Sequence, residues 1–191
     1  MTVASTKSLG PYSRFAIWVQ GCMRRCSGCI SEDSQSLDGG YEADTADLAE
    51  NVLQVSDIEG ITISGGEPFL QSEALVDLIK RIKLKKDMGV IVYTGNNFEE
   101  IEKNELTKLC DIIIDGVYIE KLNDGLSLRG SSNQNICLIT KRYEKETKNL
   151  YCVQGRKIEL HFMDGKTTMV GIPDKKSLEA FSVKQRLNRR D

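Results

Sequence analysis

The chain has 191 residues, 40% hydrophobic and 28% charged, an ordinary balance for one globular unit with a real core. A net charge of −2 supplies no global basic field, so nucleic acid is not an expected partner. No apolar run approaches the roughly 20 residues that span a bilayer, so no membrane role is expected.

In chain order, Phe15 to Gln20 reads as a buried strand that runs into a cysteine-bearing loop. Thr45 to Val55 carries Ala46, Leu48, Ala49, Val52 and Leu53 at helical spacing, with Asp44 or Thr45 as cap. Ile61 to Ile63 is a strand that stops at Ser64-Gly65-Gly66. Ser72 to Lys83 is a helix with Leu75, Leu78, Ile79 and Ile82 on one face. Gly89 to Tyr93 is the next strand, Phe98 to Leu109 the next helix, and Asp111 to Ile114 a further strand. Arg142 to Asn149 reads as a charged connection. Lys157 to Met163 and Lys166 to Ile172 then read as a β-hairpin about the pair Asp164-Gly165, and Ser177 to Leu187 as a last helix. The basic tail Lys184 to Arg190 suits a solvated helix end.

Strands that alternate with helices imply βαβ units and a parallel sheet. Right-handed crossovers then bring the C-terminal end of every strand to one rim. The cysteine loop, Gly65-Gly66-Glu67, Thr94-Gly95 and Asp115-Gly116 all fall there, where α/β folds bind ligands.

Cys22, Cys26 and Cys29 follow a C-x3-C-x2-C spacing. Three thiolates in so short a run can hold three irons of a cubane cluster and leave the fourth open to a ligand. A structural zinc site wants four closed ligands, so it would need Cys110, Cys137, Cys152 or His161 from far along the chain. Those three scattered cysteines read as small buried hydrophobes. Met1 to Lys7 is short and polar, unlike a secretory leader. Reduced cysteines and a cytoplasmic location are therefore expected over disulfides.

The cysteine motif after a strand, then Ser64-Gly65-Gly66-Glu67-Pro68 at the end of the next, resembles the radical S-adenosylmethionine superfamily. Trp18-Val19-Gln20-Gly21-Cys22, Val92-Tyr93-Thr94-Gly95, Ile114-Asp115-Gly116 and Arg129-Gly130-Ser131-Ser132-Asn133-Gln134 resemble its short glycyl-radical-enzyme activases. They are most similar to the anaerobic ribonucleotide reductase activating group. The resemblance implies a partial, open parallel β/α barrel over residues 1–143. The hairpin and helix appendage over 144–191 exceeds the minimal activase; it could dock a partner or supply a sheet edge for an extended peptide, with a cap on one end of the sheet as the plainer role. The resemblance also implies a [4Fe-4S] cluster on Cys22, Cys26 and Cys29, and S-adenosylmethionine at the open iron. Reductive cleavage to a 5′-deoxyadenosyl radical then abstracts hydrogen from a glycine of a partner enzyme. A flavodoxin- or ferredoxin-type protein would supply the electron.

By the same resemblance, Glu67 meets the ammonium of the cofactor, Gly65 and Gly66 admit it closely, and Gly28 lies near its adenine. Thr94 and Asp115 match positions near the cofactor or a bound cation, with strand-end capping as the plainer role. Arg129 matches a carboxylate or partner-backbone contact, with a structural ion pair as the plainer role. The chain departs from the activase pattern at Tyr12, where Gly-Pro-Gly is usual, and at Ile30-Ser31-Glu32 after the third cysteine. Those departures leave open a tailoring enzyme acting on a peptide or small metabolite.

Overall fold

A computed structural model of the chain describes residues 1–151, 156–163 and 166–174, with Ser177 and Ala180. Its strands are β1 (Thr2–Thr6), β2 (Arg14–Val19), β3 (Gly60–Gly65), β4 (Gly89–Tyr93), β5 (Ile112–Asp115) and β6 (Asn135–Leu138). They form one six-stranded sheet in that order. Strands β2 to β5 run parallel, and β1 and β6 close the edges antiparallel. The connections carry α1 (Thr45–Gln54), α2 (Ser72–Lys83), α3 (Phe98–Ile101) and α4 (Glu105–Leu109). The chain is thus α/β with a mostly parallel sheet.

Local chemistry sets the helix ends. Asp44 caps α1 by accepting from the N–H groups of Ala46 and Asp47 at 2.7 and 3.2 Å. Lys80, Arg81 and Lys83 lie in the last turn of α2, where cations suit the helix dipole. The single helix expected over Phe98 to Leu109 is broken in two. Asn104 accepts from the Leu106 N–H at 2.9 Å and starts α4 anew. The Thr107 hydroxyl donates to the Ile101 carbonyl at 2.7 Å, closing the gap. Asparagine competes in this way with the helical backbone.

The two faces of the sheet are covered differently. Phe15, Ile17, Ile61, Ile63, Val90, Val92 and Ile113 pack against Val52 of α1, Leu78 and Ile82 of α2 and Leu106 of α4. Fully burying one such side chain contributes about 1.5–3 kcal/mol. On the other face, Ile91, Ile112 and Ile114 pack against Tyr143. Ala16 there packs with Val3, Leu9 and Val170. Tyr143 precedes α5 (Glu144–Tyr151), which stands where a charged connection was expected. Val170 belongs to β8 (Lys166–Gly171), paired antiparallel with β7 (Ile158–Met163). The expected hairpin strands are therefore present. The turn at Asp164-Gly165, the basic tail and most of the last helix lie outside the described residues; Ser177 and Ala180 are helical.

Arg14 is fully buried at the end of the sheet opposite the rim. Its Nε donates to Thr62 at 2.8 Å, Nη1 to the Tyr143 hydroxyl at 2.8 Å, and Nη2 to the carbonyls of Ile61 and Gly89 at 2.8 Å. Glu59 balances its charge at 2.9 Å and also accepts from the Tyr143 hydroxyl. One guanidinium thereby ties β2, β3, β4 and the approach to α5 together. In sequence it is an isolated arginine, and nothing there announces the network.

Candidate functional site

The loops after β2, β3, β4 and β5 line one cleft at the rim, as the sheet topology requires. It encloses about 1010 Å³ counting its open mouth. Cys22, Cys26, Cys29, Gly28, Gly65, Gly66, Glu67 and Thr94 all line it. Asp115 and Arg129 do not lie among its lining residues.

The cysteine loop is held by its backbone. Gly21 N donates to Ser34 O at 2.9 Å, Cys22 N to Gln35 O at 3.0 Å and Cys29 N to Cys26 O at 3.2 Å. Gly28 adopts φ +71°, and a Cβ there would crowd the Glu120 carboxylate at 3.0 Å. All three cysteines are half-buried free thiols. Burial pushes the Cys26 thiol up, and Cys29 and Cys22 beside it add to the effect. Among the described residues, no three His, Cys, Asp or Glu side chains, those of this loop included, are gathered closely enough to hold a metal ion.

Gly65 and Gly66 are required by this chain's own backbone. Gly65 has φ +100°, and a Cβ on it would meet Val19 O at 2.6 Å. A Cβ on Gly66 would meet Gly21 O at 2.2 Å. The Gly-Gly pair therefore lets the β3 loop lie directly on the start of the cysteine loop. Glu67 N completes the junction by donating to Gly21 O at 2.7 Å.

The Glu67 side chain is buried and accepts three hydrogen bonds within the rim. Oε1 accepts from the Thr94 hydroxyl at 2.7 Å and from Phe69 N at 3.1 Å; Oε2 accepts from Gly95 N at 2.9 Å. Thr94 in turn accepts from Asn96 N at 3.1 Å. Asp115 accepts from Phe98 N at 2.9 Å and from the backbone and side-chain nitrogens of Asn135, each at 3.0 Å. It joins the end of β5 to α3 and β6. Arg129 pairs with Asp124 at 2.6 Å.

The Arg129-Gln134 run works as a strap. Gln134 accepts from Gly130 N at 2.8 Å and donates to Gly116 O at 2.8 Å. Asn133 donates to Val117 O at 2.8 Å. These bonds fix the loop after β5, which brings Gly116 and Tyr118 to the cleft.

Residues 8–137 match the family described as a 4Fe-4S single cluster domain. The chain belongs to the radical S-adenosylmethionine activase group. It is 31% identical over 132 residues to the anaerobic ribonucleoside-triphosphate reductase-activating protein of Enterobacteria phage T4, covering 66% of this chain and 85% of that protein. With the protein of the same name from Vibrio cholerae it shares 30% identity over 138 residues, covering 66% and 88%. With the pyruvate formate-lyase-activating enzyme of Clostridium pasteurianum it shares 35% over 114 residues, covering 54% of this chain and 47% of that one.

The donor set fits the iron–sulfur domain of this activase group. The thiols come from one short loop, are free, and share a cleft. Cys110 is spent elsewhere: it is buried, its Sγ donates to Leu106 O at 3.1 Å, and burial pushes its thiol up to about 12. Cys137 is half-buried against the core, with its thiol pushed up by burial to about 11. Cys152 lies outside the described residues.

The sequence reading missed several lining residues. Arg24, inside the cysteine motif, donates to Asn96 at 2.5 Å and so clasps the loop to the end of β4. Its place between the cysteines was the available signal. Tyr93 ends β4, and its hydroxyl is buried with no hydrogen-bond partner among the described residues. Gly171, at the end of the hairpin, and Ile172 and Pro173 after it also line the cleft; nothing local announces that.

Proposed function

We propose that this enzyme is the activase of a glycyl radical enzyme related to anaerobic ribonucleotide reductase. The observation that carries the reading is one cleft lined by three free thiols from one short loop and by the Gly-Gly-Glu loop. The names of its relatives support it. Helices α1, α2 and α4 cover one face of the sheet while the site opens at its rim, which supports a partial β/α barrel.

Cys22, Cys26 and Cys29 would hold three irons of a [4Fe-4S] cluster. Reduced by a flavodoxin- or ferredoxin-type protein, a bound cluster supplies the electron that splits S-adenosylmethionine into methionine and a 5′-deoxyadenosyl radical, which takes hydrogen from a partner's glycine. Every other part falls to this chain. A carboxylate has about four acceptor sites; Glu67 uses three on Thr94, Phe69 and Gly95, leaving room for the cofactor's ammonium. Thr94 sets the angle of that carboxylate. Gly28 exposes backbone for the adenine. Asp115 and Arg129 act at a distance, by holding the loops that line the cleft. The setting is an anaerobic cytoplasm; no described helix is long and apolar enough to cross a membrane.

One observation favours a second reading, a tailoring enzyme for a peptide or small metabolite. Ile30 and Ser31, which depart from the activase pattern, line the cleft themselves. Anaerobic affinity capture from the native host separates the two. Recovery of a large enzyme that develops a glycyl radical signal with S-adenosylmethionine and reductant supports the activase. A modified small substrate, with no lasting protein radical, supports the alternative.

A further inference from the structure

The C-terminal hairpin lies beyond residues 8–137, the span that matches the family. It is nonetheless packed against the sheet. Val170 is fully buried with Val3, Leu9 and Ala16. Lys7 N donates to Glu159 at 2.7 Å. Gly171 sits at φ +122°, where a Cβ would meet Lys157 O at 2.5 Å and Ser8 Cβ at 3.2 Å. The chain leaves the hairpin through Ile172 and Pro173, which line the cleft that Cys22, Cys26 and Cys29 line.

Arg156, just ahead of β7, makes a second attachment. Its side chain is only 6% exposed. Nε donates to Leu126 O at 3.0 Å, and Nη2 to Arg129 O at 2.9 Å and Gly130 O at 3.0 Å. Asp124, which also pairs with Arg129, lies 3.8 Å away and offsets part of the charge. A guanidinium presents its donors in a rigid fork, so three carbonyls on one fork fix a loop against the group that bears it. That loop is the strap, and Gly130 of the strap lines the cleft. Nη1 of Arg156, like the hydroxyl of Tyr93, is buried without a hydrogen-bond partner among the described residues.

We infer that the hairpin is a wall of the cofactor cleft, that Arg156 is the positioning residue that sets this wall against the strap, and that Ile172 limits by size what the cleft admits. The inference rests on the proposed function for its ligand, S-adenosylmethionine. It gives the appendage a task inside the site, in place of docking a partner or capping the sheet.

The test is equilibrium dialysis of S-adenosylmethionine against the anaerobically reconstituted full-length protein, with iron content and thermal midpoint as checks on fold. Arg156→Met should weaken binding by about tenfold or more with iron content unchanged, because small displacements of a positioned wall are costly. Arg156→Lys, which keeps the charge but loses the fork, should recover part of that loss. Ile172→Trp should weaken binding by at least about tenfold by filling the cleft; an ordinary surface substitution costs far less. Phe162→Ser, on the exposed face of the hairpin, should bind as wild type. If Arg156→Met fails to fold, Ile172→Trp decides alone. Wild-type affinity in Ile172→Trp, or in a folded Arg156→Met, overturns the inference. A wild-type protein with a full cluster that binds no S-adenosylmethionine removes the functional reading first, and the inference with it.

Discussion

The Thr94 hydroxyl donates to Glu67 Oε1 at 2.7 Å and so joins the ends of β4 and β3 beneath the cysteine loop. Both residues are buried, at 5% and 6% exposure, so neither group can turn to solvent instead. Glu67 Oε1 keeps its bond from Phe69 N, so the loss is that of one hydrogen bond to a charged group. Thr94→Val keeps the shape and removes the donor. It should destabilise the protein by roughly 1–3 kcal/mol, read by chemical denaturation. It should also weaken S-adenosylmethionine binding while iron content holds. Glu67→Ala should weaken that binding further and still keep the cluster. Loss of the cluster in that variant would assign Glu67 a structural role.

Gly66→Ala tests the crossing of the two loops. The added Cβ would stand 2.2 Å from Gly21 O, and the atom in its way is backbone. The cysteine loop must then shift. Iron and sulfide incorporation should fall to a small fraction of wild type, although Gly66 carries no ligand atom. Normal incorporation would show that the loop yields without disturbing the thiols.

Arg14→Met removes a buried cation from a network of Thr62, Glu59, Tyr143 and three backbone carbonyls. Breaking a buried pair by deleting one partner costs about 3–5 kcal/mol. Urea unfolding should show a loss of that order. Whatever protein remains folded should bind its cluster and S-adenosylmethionine as wild type, because the network sits at the end of the sheet away from the cleft.

Cys110 makes stability depend on alkaline pH. Burial raises its thiol from 9.0 in the ordinary state to about 12 in the folded protein. Below pH 9 both states carry the proton and its full contribution is present. Between about 9 and 12 the unfolded chain ionises first, so stability falls as pH rises, by up to about 1.4 kcal/mol per pH unit. Cys110→Ala should shift the midpoint at neutral pH but flatten this alkaline limb. Unfolding curves at pH 8 and 10.5 measure the difference; equal slopes would contradict the assignment.

Strands β2 to β5 were legible in the sequence because both faces are covered, which leaves short unbroken apolar runs such as Ile112 to Ile114. The edges were not. In β1 the residues are Thr2, Val3, Ala4, Ser5 and Thr6, and only the burial of Val3 and Thr6 marks it as a strand. Helix α5 was hidden because its charges gave no apolar stripe. The cysteine motif and Gly-Gly-Glu were legible because their function needs close spacing along the chain. Arg156 and Ile172 were not, since only the packing of the hairpin brings them to the strap and the cleft. Asp115 and Arg129 matched a pattern in the chain, and their observed partners are Phe98, Asn135 and Asp124.

The most direct measurement is anaerobic incubation of the reconstituted protein with S-adenosylmethionine and dithionite, quantifying 5′-deoxyadenosine and methionine, beside Cys26→Ala. The account predicts both products in equal amounts from wild type and neither from the variant, which retains only two thiolates of the motif. Product from Cys26→Ala, or none from a wild-type protein carrying its full cluster, would contradict it.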